Sequence, residues 1–412
     1  MSAGAASIQP VDRAIDGRGR FDLMRKIRIL HVIGQLRRGG CELQLLGLCR
    51  RLDRARFDSA ICWYVRQADE LEEDFRRAGV WTHFFSKPSM SVWRFFERLR
   101  GVVKEVEPDI IHTWMYSANF WGRLAAVTCG VSGIIASERG EVRMTGLIDR
   151  ASEWFFRRRT LRLANSRFIA SSLERHFGLP AEQTRIVHNA VGFELPNREE
   201  ARSSLRRELG LAADTPVVLT VGRLGFPKNY PMLVRVVGRL ERSESDAVVA
   251  VVGTGPDEDV LKRRVRDAGL DSRMRFLGFR GDVPSLLAGA DIFCFTSDSE
   301  GFPNAVLEAM LAGLPVVCTD FPSAREMIFD PRAGILVSCD DDAGMAEAIG
   351  DLLARPERRR DIGMAARVHV QRHFSWDRLV ETMSEIYEEL AGRKGLEDRV
   401  PVEEGSGHRL PR

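Results

Sequence analysis

The chain has 412 residues, 44% of them apolar and 29% charged, which is typical of a water-soluble globular protein with room for two domains. No apolar run reaches the roughly 20 residues that cross a bilayer, and residues 1–24 lack the apolar core of a secretory signal, so we expect a disordered leader there. Seven cysteines without a C-x-x-C pair favour reduced thiols in the cytoplasm.

The formal net charge of +3 conceals an asymmetry between the two halves of the chain. Residues 25–195 hold 28 Lys and Arg against 19 Asp and Glu, whereas residues 196–412 hold 30 against 36. The basic first half is explained by contact with an anionic surface or acceptor. An Arg-rich composition without such a contact explains the counts equally well. The sequence leaves both interpretations open.

The first half alternates predicted strands and helices. Strands are predicted at 26–34, 57–65, 82–85, 109–112, 134–140, 163–166 and 184–191, and helices at 41–51, 70–78, 91–106 and 147–161, with a further loop and helix beginning at 113–119. Such alternation predicts a doubly wound domain with a parallel sheet.

Two places in this half are candidate binding positions. Gly39 and Gly40 open the helix at 41, and glycines there let a ligand approach the backbone closely. His112 ends a predicted strand where a cleft between two domains would lie, so it is a candidate catalytic residue, with a structural role as the alternative. Asn119 and Glu138 end strands in a similar way and have weaker claims.

A polar segment at 193–214 predicts an interdomain linker and a short helix, and a second alternating set follows it. Strands are predicted at 217–221, 247–252, 274–277, 291–296 and 315–319, and helices at 230–241, 257–268, 283–288, 343–354, 356–373 and 375–392. The chain beyond 393 is polar and predicted to be a flexible tail.

The loop at 222–229 carries two cations, Arg223 and Lys228, at the carboxyl end of a predicted strand. Two such charges can neutralise a departing diphosphate without a metal, and a solvated basic loop is the alternative. The loop after the next strand contains Gly253 and Gly255, but Glu258 stands where a dinucleotide fingerprint needs its third glycine. We therefore interpret this second loop as a tight turn and disfavour a nicotinamide-dependent enzyme.

The segment at 298–315 predicts a loop and a helix between two buried strands. Asn304 is a good N-cap, Gly313 ends the helix, and the helix N-terminus suits a phosphate group. Glu300 precedes the helix and Glu308 lies one turn into it, so both carboxylates can face one ligand. The alternative is a surface loop with two solvated glutamates. No D-x-D-like metal site is evident.

Two stretches of the basic half, 93–100 and 154–162, combine arginines with aromatic residues. They predict either contact with an anionic membrane face or an aromatic stripe facing the core behind a solvated basic side. No nucleic-acid-binding motif accompanies them, so nucleic acid is not an expected partner.

Several motifs, in order along residues 26–392, resemble those of retaining glycosyltransferases of the GT-B fold, family 4 or "group 1". The most specific is the pair Glu300 and Glu308, similar to the family's E-x7-E motif. The others are Gly39-Gly40-Cys41-Glu42-Leu-Gln44, Ala164-Asn165-Ser166, His188-Asn189-Ala190-Val191, Gly222-Arg223 with Lys228-Asn229, and the stretch 276–291. The family often has a second histidine near His112, where this chain has Trp114 and Ser117.

The resemblance implies two Rossmann-like domains facing across a cleft, formed by 25–195 with 375–392 and by 196–374. It further implies that Arg223 and Lys228 hold the donor diphosphate, that Glu308 holds the ribose, and that Gly40 approaches from the first domain. The donor sugar and its phosphate are expected at Glu300, Gly301, Phe302, Pro303 and Asn304, and the nucleobase near Arg280.

The sequence therefore predicts a cytoplasmic retaining hexosyltransferase that uses a nucleoside diphosphate sugar, a glycan or lipid-linked acceptor, and no cofactor or metal. A role in surface polysaccharide synthesis and a peripheral contact with the membrane are expected from the basic first domain. The alternatives are a nucleotide-sugar epimerase of similar fold and a non-catalytic scaffold. Retention of Arg223, Lys228, Glu300 and Glu308 together argues against the scaffold.

Overall fold

The computed structural model describes residues 25–67, 70–141, 146–179, 184–243 and 245–397. The predicted leader at 1–24 and the end of the predicted tail, 398–412, lie outside these ranges. In the described ranges the chain forms two α/β units, each built on one parallel sheet. No helix of these ranges is long and apolar enough to span a membrane.

The first sheet has seven parallel strands in the order β3-β2-β1-β4-β5-β6-β7. These are β1 (Ile27–Ile33), β2 (Phe57–Trp63), β3 (Trp81–Phe84), β4 (Ile110–Trp114), β5 (Gly133–Glu138), β6 (Leu161–Ala164) and β7 (Thr184–Ile186). Helices on both faces are α1 (Gly40–Arg51), α2 (Glu72–Arg77), α3 (Val92–Val106), α4 (Tyr116–Thr128), α5 (Leu147–Phe156) and α6 (Arg167–Phe177). The central strands β1 and β4 are mostly buried and mainly apolar, because helices cover both faces of the sheet.

The second sheet has six parallel strands in the order β10-β9-β8-β11-β12-β13. These are β8 (Val217–Val221), β9 (Val248–Val252), β10 (Met274–Gly278), β11 (Ile292–Phe295), β12 (Val316–Thr319) and β13 (Ile335–Val337). Its helices are α7 (Arg198–Leu209), α8 (Tyr230–Arg242), α9 (Glu258–Asp267), α10 (Val283–Gly289), α11 (Asn304–Leu311), α12 (Ala324–Met327), α13 (Asp342–Ala354) and α14 (Pro356–His373). The fold class predicted from the sequence, two doubly wound parallel-sheet units, is confirmed.

The last helix, α15 (Trp376–Glu397), returns to the first sheet. Its buried residues Met383, Ile386 and Tyr387 share one apolar core with strands β1 and β2. Glycine allows this crossing, because a Cβ atom on Gly47 would lie 2.1 Å from the Trp376 ring. The helix extends five residues into the predicted tail.

Both strand orders reverse direction at one pair of neighbours, β1 with β4 in the first sheet and β8 with β11 in the second. Ligands of doubly wound sheets bind outside the carboxyl ends of the strands at such a reversal. The loops found there hold Gly39 and Gly40 in one unit and Arg223, Lys228 and Glu300 in the other. The topology therefore places the loops selected by the motifs where such sheets bind ligands, and their binding role stays a prediction.

Three features of the fold differ from the sequence prediction. Strand β4 continues to Trp114, because Thr113 and Trp114 pair with β1 and β5, whereas the prediction ended it at 112. The predicted helix at 147–161 ends at Phe156, and β6 begins at Leu161. Elements α6, α12 and β13 were not predicted, and α12 and β13 are only four and three residues long.

Candidate active site

The loop between β8 and α8 is fixed by hydrogen bonds to the end of β11. The Pro227 carbonyl accepts from the Ser297 hydroxyl at 3.1 Å and from the Asp298 amide at 2.9 Å. The Lys228 carbonyl accepts from the Thr296 hydroxyl at 2.9 Å. These bonds set the loop with the two cations directly beside the loop with Glu300.

Lys228 and Glu300 form an ion pair at the centre of the site. The Lys228 Nζ lies 2.7 Å from the Glu300 carboxylate, and both side chains are more than four-fifths buried. The Ser297 hydroxyl donates to the same carboxylate at 2.9 Å, and the Lys228 ammonium lies 4.4 Å from the centroid of the Phe295 ring. The pair is therefore partly desolvated, which strengthens its interaction with any charge that enters.

Arg223 is the other cation of this loop, and it is exposed. It donates to the Phe226 carbonyl at 3.1 Å, and no carboxylate of the described ranges pairs with it. An unpaired guanidinium beside a partly buried ammonium is available for an anionic ligand.

The loop after β9 is confirmed as a tight turn. A Cβ atom on Gly253 would lie 2.0 Å from the Gly222 carbonyl oxygen, and one on Gly255 would lie 2.1 Å from the Leu224 carbonyl oxygen. The Leu224 amide also donates to the Thr254 carbonyl at 3.0 Å. These glycines therefore serve backbone packing against the cationic loop.

Helix α11 begins one residue earlier than predicted, with Pro303 at the N-cap position and Asn304 as the first helical residue. No side chain of the described ranges caps this helix, so its first amides have no side-chain acceptor. The N-cap role predicted for Asn304 is wrong, because its side chain is engaged with the first unit of the chain.

Asn304 links the two units. Its side-chain amide donates to the Gly40 carbonyl at 3.1 Å and accepts from Asn189 at 2.7 Å and from Gln44 at 3.4 Å. Gln44 in turn exchanges two hydrogen bonds with the Ala190 backbone, at 2.6 and 3.0 Å. Gly40, expected to approach the site from the first unit, therefore starts α1 directly against the start of α11.

The segment at 301–302 is also pressed against the first unit. A Cβ atom on Gly301 would lie 2.4 Å from the Arg139 carbonyl oxygen, so only glycine fits there. The Phe302 carbonyl accepts from Asn189 at 2.7 Å, and the buried Phe302 ring stacks on His188 with centroids 4.7 Å apart. Asn189 and His188 belong to a recognised motif but were absent from the predicted site, because no local pattern signals a contact between units.

Glu308 is half-buried, and its side chain has no hydrogen-bond or ion-pair partner among the described residues. Burial raises the pKa of its carboxyl to about 7. A buried carboxylate without a partner is destabilising in the empty protein. Such a group is a candidate to accept a hydrogen bond from a ligand.

His112 does not face the cleft, and the expectation that it lies beside a substrate is wrong. It sits in the middle of β4, fully buried, with one ring nitrogen 2.8 Å from the Tyr387 hydroxyl and the other 2.8 Å from the Ser137 hydroxyl. Burial holds the pKa of His112 well below its ordinary value. The ring is a neutral part of the core under α15.

The carboxyl end of β5 lies against the loop that holds Glu300, since a Cβ atom on Gly301 would lie 2.4 Å from the Arg139 carbonyl oxygen. The Asn119 side-chain amide donates to the Glu138 carboxylate at 2.5 Å. Burial raises the pKa of Glu138 to about 7, against the lowering effect of that hydrogen bond. The Arg139 guanidinium lies 4.6 Å from the centroid of the Trp114 ring, and it also binds Asn189. Glu138 was a weaker candidate in the sequence analysis, and its role in the site stays a prediction.

Arg280 lies just after β10 and is held by two carboxylates. Its guanidinium donates to Asp282 at 2.6 and 2.7 Å and also pairs with Glu208. Its contact with a nucleobase stays a prediction. Within the described ranges, no group of three or more His, Cys, Asp or Glu residues is placed to hold a metal ion.

Comparison with known proteins gives matches along most of the chain. The model "Glycosyltransferase Family 4" matches residues 38–195, and the model "Glycosyl transferases group 1" matches residues 201–369. A GDP-mannose-dependent alpha-(1-6)-phosphatidylinositol monomannoside mannosyltransferase of Mycolicibacterium smegmatis is 28% identical over 383 residues, 87% of this chain and 96% of that protein.

Two further similarities concern one sequence and one solved structure. A Campylobacter jejuni transferase, N-acetylgalactosamine-N,N'-diacetylbacillosaminyl-diphospho-undecaprenol 4-alpha-N-acetylgalactosaminyltransferase, is 28% identical over 199 residues, 48% of this chain and 52% of that protein. The crystal structure of Anabaena Alr3699/HepE in complex with UDP superposes with a TM-score of 0.77 at 22% identity, covering 88% of this chain and all of that one.

Two parallel-sheet units with facing loops, and a lysine paired with the first glutamate of the two-glutamate motif, define a glycosyltransferase of the GT-B fold. The chain belongs to the group 1, or family 4, glycosyltransferases, since the two family models cover one unit each. Membership of the group 1, or family 4, glycosyltransferases, predicted from the motifs, is thereby confirmed, and retention of configuration stays a prediction.

Proposed function

We propose that this glycosyltransferase moves a sugar from a nucleoside diphosphate sugar to a hydroxyl of a lipid-linked or glycan acceptor, with retention of configuration, in surface polysaccharide synthesis. The observation that carries the proposal is the buried Lys228–Glu300 pair at 2.7 Å beside the uncapped start of α11. Unpaired Arg223 on the same loop completes a site for a diphosphate. Cations and a helix N-terminus stabilise the negative charge that develops on it.

In the proposed reaction the bond between the sugar anomeric carbon and the phosphate oxygen breaks, and its electron pair stays on the diphosphate. The acceptor oxygen bonds to the anomeric carbon from the same face, and its proton passes to the departing phosphate oxygen. Lys228 and Arg223 offset the charge on the diphosphate as it leaves. The reaction is thereby balanced without a metal or an oxidant.

We assign Glu300 to hydroxyls of the donor sugar rather than to nucleophilic attack. Its carboxylate already pairs with Lys228 and accepts from Ser297, which fixes its orientation. Glu308 is assigned to the ribose, because its unpartnered carboxylate can accept from a sugar hydroxyl. In the first unit, Glu138 is assigned to accept from the acceptor hydroxyl and so to position it.

The names of the relatives support the choice of substrates. The mycobacterial relative is named for GDP-mannose and a phosphatidylinositol acceptor, and the Campylobacter relative for a diphospho-undecaprenol acceptor. The Anabaena structure contains UDP. We therefore infer a uridine or guanosine diphosphate hexose as the donor, and a lipid-linked acceptor.

Mass spectrometry of purified enzyme with a panel of UDP- and GDP-hexoses and crude lipid-linked acceptors tests the proposal. A product heavier than the acceptor by one hexose, formed with one donor, is expected. If the donor is only epimerised or hydrolysed, and no sugar is transferred to any acceptor, the proposed function is contradicted and an epimerase is favoured. The anomeric configuration of the product, read by NMR, tests retention separately.

We further propose that the basic first unit rests on the cytoplasmic face of a membrane. Trp93 is 71% exposed, Trp154 64% and Leu147 87%, so these apolar side chains do not face the core. Among the aromatic residues of stretches 93–100 and 154–162, Phe95 and Phe156 are buried and Phe96 packs partly against the core, so the core-facing interpretation holds for these three. Aromatic side chains among arginines suit the interface of an anionic bilayer.

Flotation with vesicles tests this contact. Vesicles with an anionic lipid fraction should recover the wild type at low salt. The Trp93→Ser/Trp154→Ser variant should float far less than the Trp81→Ser control, which changes an exposed tryptophan on β3. Equal flotation of both variants, or no flotation of the wild type, would reject the membrane contact.

A further inference from the structure

The second unit has a strongly basic cleft far from the donor loops. It lies at the amino ends of β11 and β12, between α7 and α14, and its volume is about 560 Å³. The proposed donor site lies at the opposite, carboxyl ends of the same sheet. Five arginines line the cleft: Arg198, Arg202, Arg359, Arg360 and Arg367.

The carboxylate in this cleft, Asp291, is already neutralised. It pairs with Arg202 and Arg206, and it accepts from the Val217 amide at 2.8 Å. The buried side chain of Arg206 also donates to the Gly289 carbonyl at 2.9 Å. Asp291 therefore has no capacity left to balance the remaining arginines.

Four arginines of the cleft, Arg198, Arg359, Arg360 and Arg367, have no side-chain hydrogen bond or ion pair with any residue in the described ranges. Two arginines at the start of α14 differ from them. Arg355 and Arg358 both pair with Asp351, at 2.9 and 2.6 Å. Arg359, Arg360 and Arg367 of α14 therefore line the cleft without a carboxylate to balance them.

Close backbone contacts hold the two helices that carry these charges. A Cβ atom on Gly363 of α14 would lie 2.1 Å from the Gly313 carbonyl oxygen, and one on Gly289 would lie 2.6 Å from the Ala201 carbonyl oxygen of α7. Glycine at both places lets α14 pack closely against the loop after α11, and α7 against the end of α10. The like charges are therefore held near one another by the fold, which is unfavourable without an anion.

We propose that this cleft is a second anion-binding site, specific for a group with two or more linked phosphates. Guanidinium groups bind phosphate oxygens in pairs, and four of them match the charge of a diphosphate or triphosphate. A volume of about 560 Å³ is within the usual range for a small-molecule site and exceeds that of one phosphate. Met364 and Pro315 add an apolar wall for whatever the phosphates carry.

The same chemistry is present in a soluble nucleoside di- or triphosphate and in the diphosphate headgroup of a lipid carrier. The two helices that carry these arginines adjoin the two connections between the units. Helix α7 follows the linker at Asn197, and α14 leads to Phe374, whose carbonyl accepts from the Val191 amide at 2.9 Å. An anion that joins α7 to α14 is therefore expected to stabilise the folded enzyme.

Calorimetric titration with inorganic pyrophosphate tests the proposal. The wild type should bind two equivalents, one in the donor site and one in the cleft. Arg360→Gln/Arg367→Gln should keep only the donor-site equivalent, or weaken the second at least about 100-fold, roughly tenfold for each charged hydrogen-bond donor removed. Arg223→Gln/Lys228→Gln should keep the cleft equivalent, so failure of the donor site is distinguishable.

Arg358→Gln is the matched control, because it removes a charge from the same helix outside the cleft. It should bind pyrophosphate as the wild type does. Thermal unfolding without ligand should show that Arg360→Gln/Arg367→Gln is at least as stable as the wild type, since it removes only repulsion. Identical stoichiometry and affinity in the cleft variant and the wild type would overturn the proposal.

The source of the phosphates is decided by two further probes. One is UDP in a thermal-shift titration of Arg223→Gln/Lys228→Gln. The other is flotation with phosphatidylcholine vesicles containing a polyprenyl diphosphate. If UDP stabilises Arg223→Gln/Lys228→Gln, and adding Arg360→Gln/Arg367→Gln to that variant abolishes the stabilisation, the ligand is soluble. Flotation that the same cleft variant abolishes indicates a lipid headgroup. If neither UDP stabilisation nor flotation is observed, the proposal is overturned, even if pyrophosphate binds.

Discussion

Replacement of Glu308 by glutamine links the stability of the empty enzyme to its binding of donor. Burial raises the pKa of this carboxyl to about 7, above the ordinary 4.5. The protonated form is therefore favoured in the folded state. The ionised form imposes no cost below pH 4.5, an increasing cost as the pH rises, and its full cost above pH 7.

The size of the effect follows from the two pKa values. Their difference corresponds to roughly 3 kcal/mol, and water at the half-buried carboxylate reduces this to about 1–2 kcal/mol. Glu308→Gln removes the cost at alkaline pH only. Thermal unfolding should therefore show the variant several degrees more stable than the wild type at pH 8.5, and close to it at pH 5.

Donor binding should respond in the opposite direction. A ribose hydroxyl that donates to the ionised carboxylate lowers its pKa, so binding of the nucleoside diphosphate near pH 6.5 should release a proton. Calorimetry in two buffers of different ionisation enthalpy measures that proton, and Glu308→Gln should abolish it while weakening binding. An equal stability difference at pH 5 and 8.5, or unchanged affinity and proton release, would refute the reasoning.

Two further predictions concern the contacts between the units, and a third concerns Glu138. Gly301→Ala places a methyl group 2.4 Å from the Arg139 carbonyl oxygen. The loop must then shift by about 1 Å, which should lower turnover roughly 10²-fold. Full activity would show that catalysis does not need this close approach of the two units. Asn304→Ala removes the hydrogen bonds to Gly40 and to Asn189, so turnover should fall and the two units should separate. Solution scattering should measure the separation as a larger radius of gyration. An unchanged radius of gyration and an unchanged rate would contradict the link between the units. Glu138→Gln should raise the KM for the acceptor substrate but not the KM for the donor. It should also remove the rise in wild-type activity through pH 7, because the ionised Glu138 carboxylate accepts the hydrogen bond from the acceptor substrate. An unchanged pH profile would show that Glu138 is not part of the site.

The sequence predicted the fold class and most of the second unit correctly, because its strands are short apolar runs separated by glycine and proline. The loops with Arg223, Lys228 and Glu300 were predicted on sequence spacing, and the structure brings them together at the reversal of strand order. A sequence motif was sufficient there because each loop directly follows a strand.

Contacts between distant segments were not predictable in the same way. His112 was expected at the cleft because its strand was ended two residues early, and a fully paired, buried histidine has no distinct sequence pattern. Asn304 looked like a helix cap, but its side chain serves three partners from the first unit. Such roles depend on how the two units meet, which no local periodicity encodes.

The central claim is that Lys228 and Arg223 stabilise the departing diphosphate. Single-turnover transfer, with the donor and acceptor found in the panel, tests it most directly. Lys228→Gln and Arg223→Gln should each lower the rate by about 10²-fold or more, whereas Arg239→Gln, an ion-paired cation on α8, should not. Transfer at near wild-type rates by both loop variants would contradict the account.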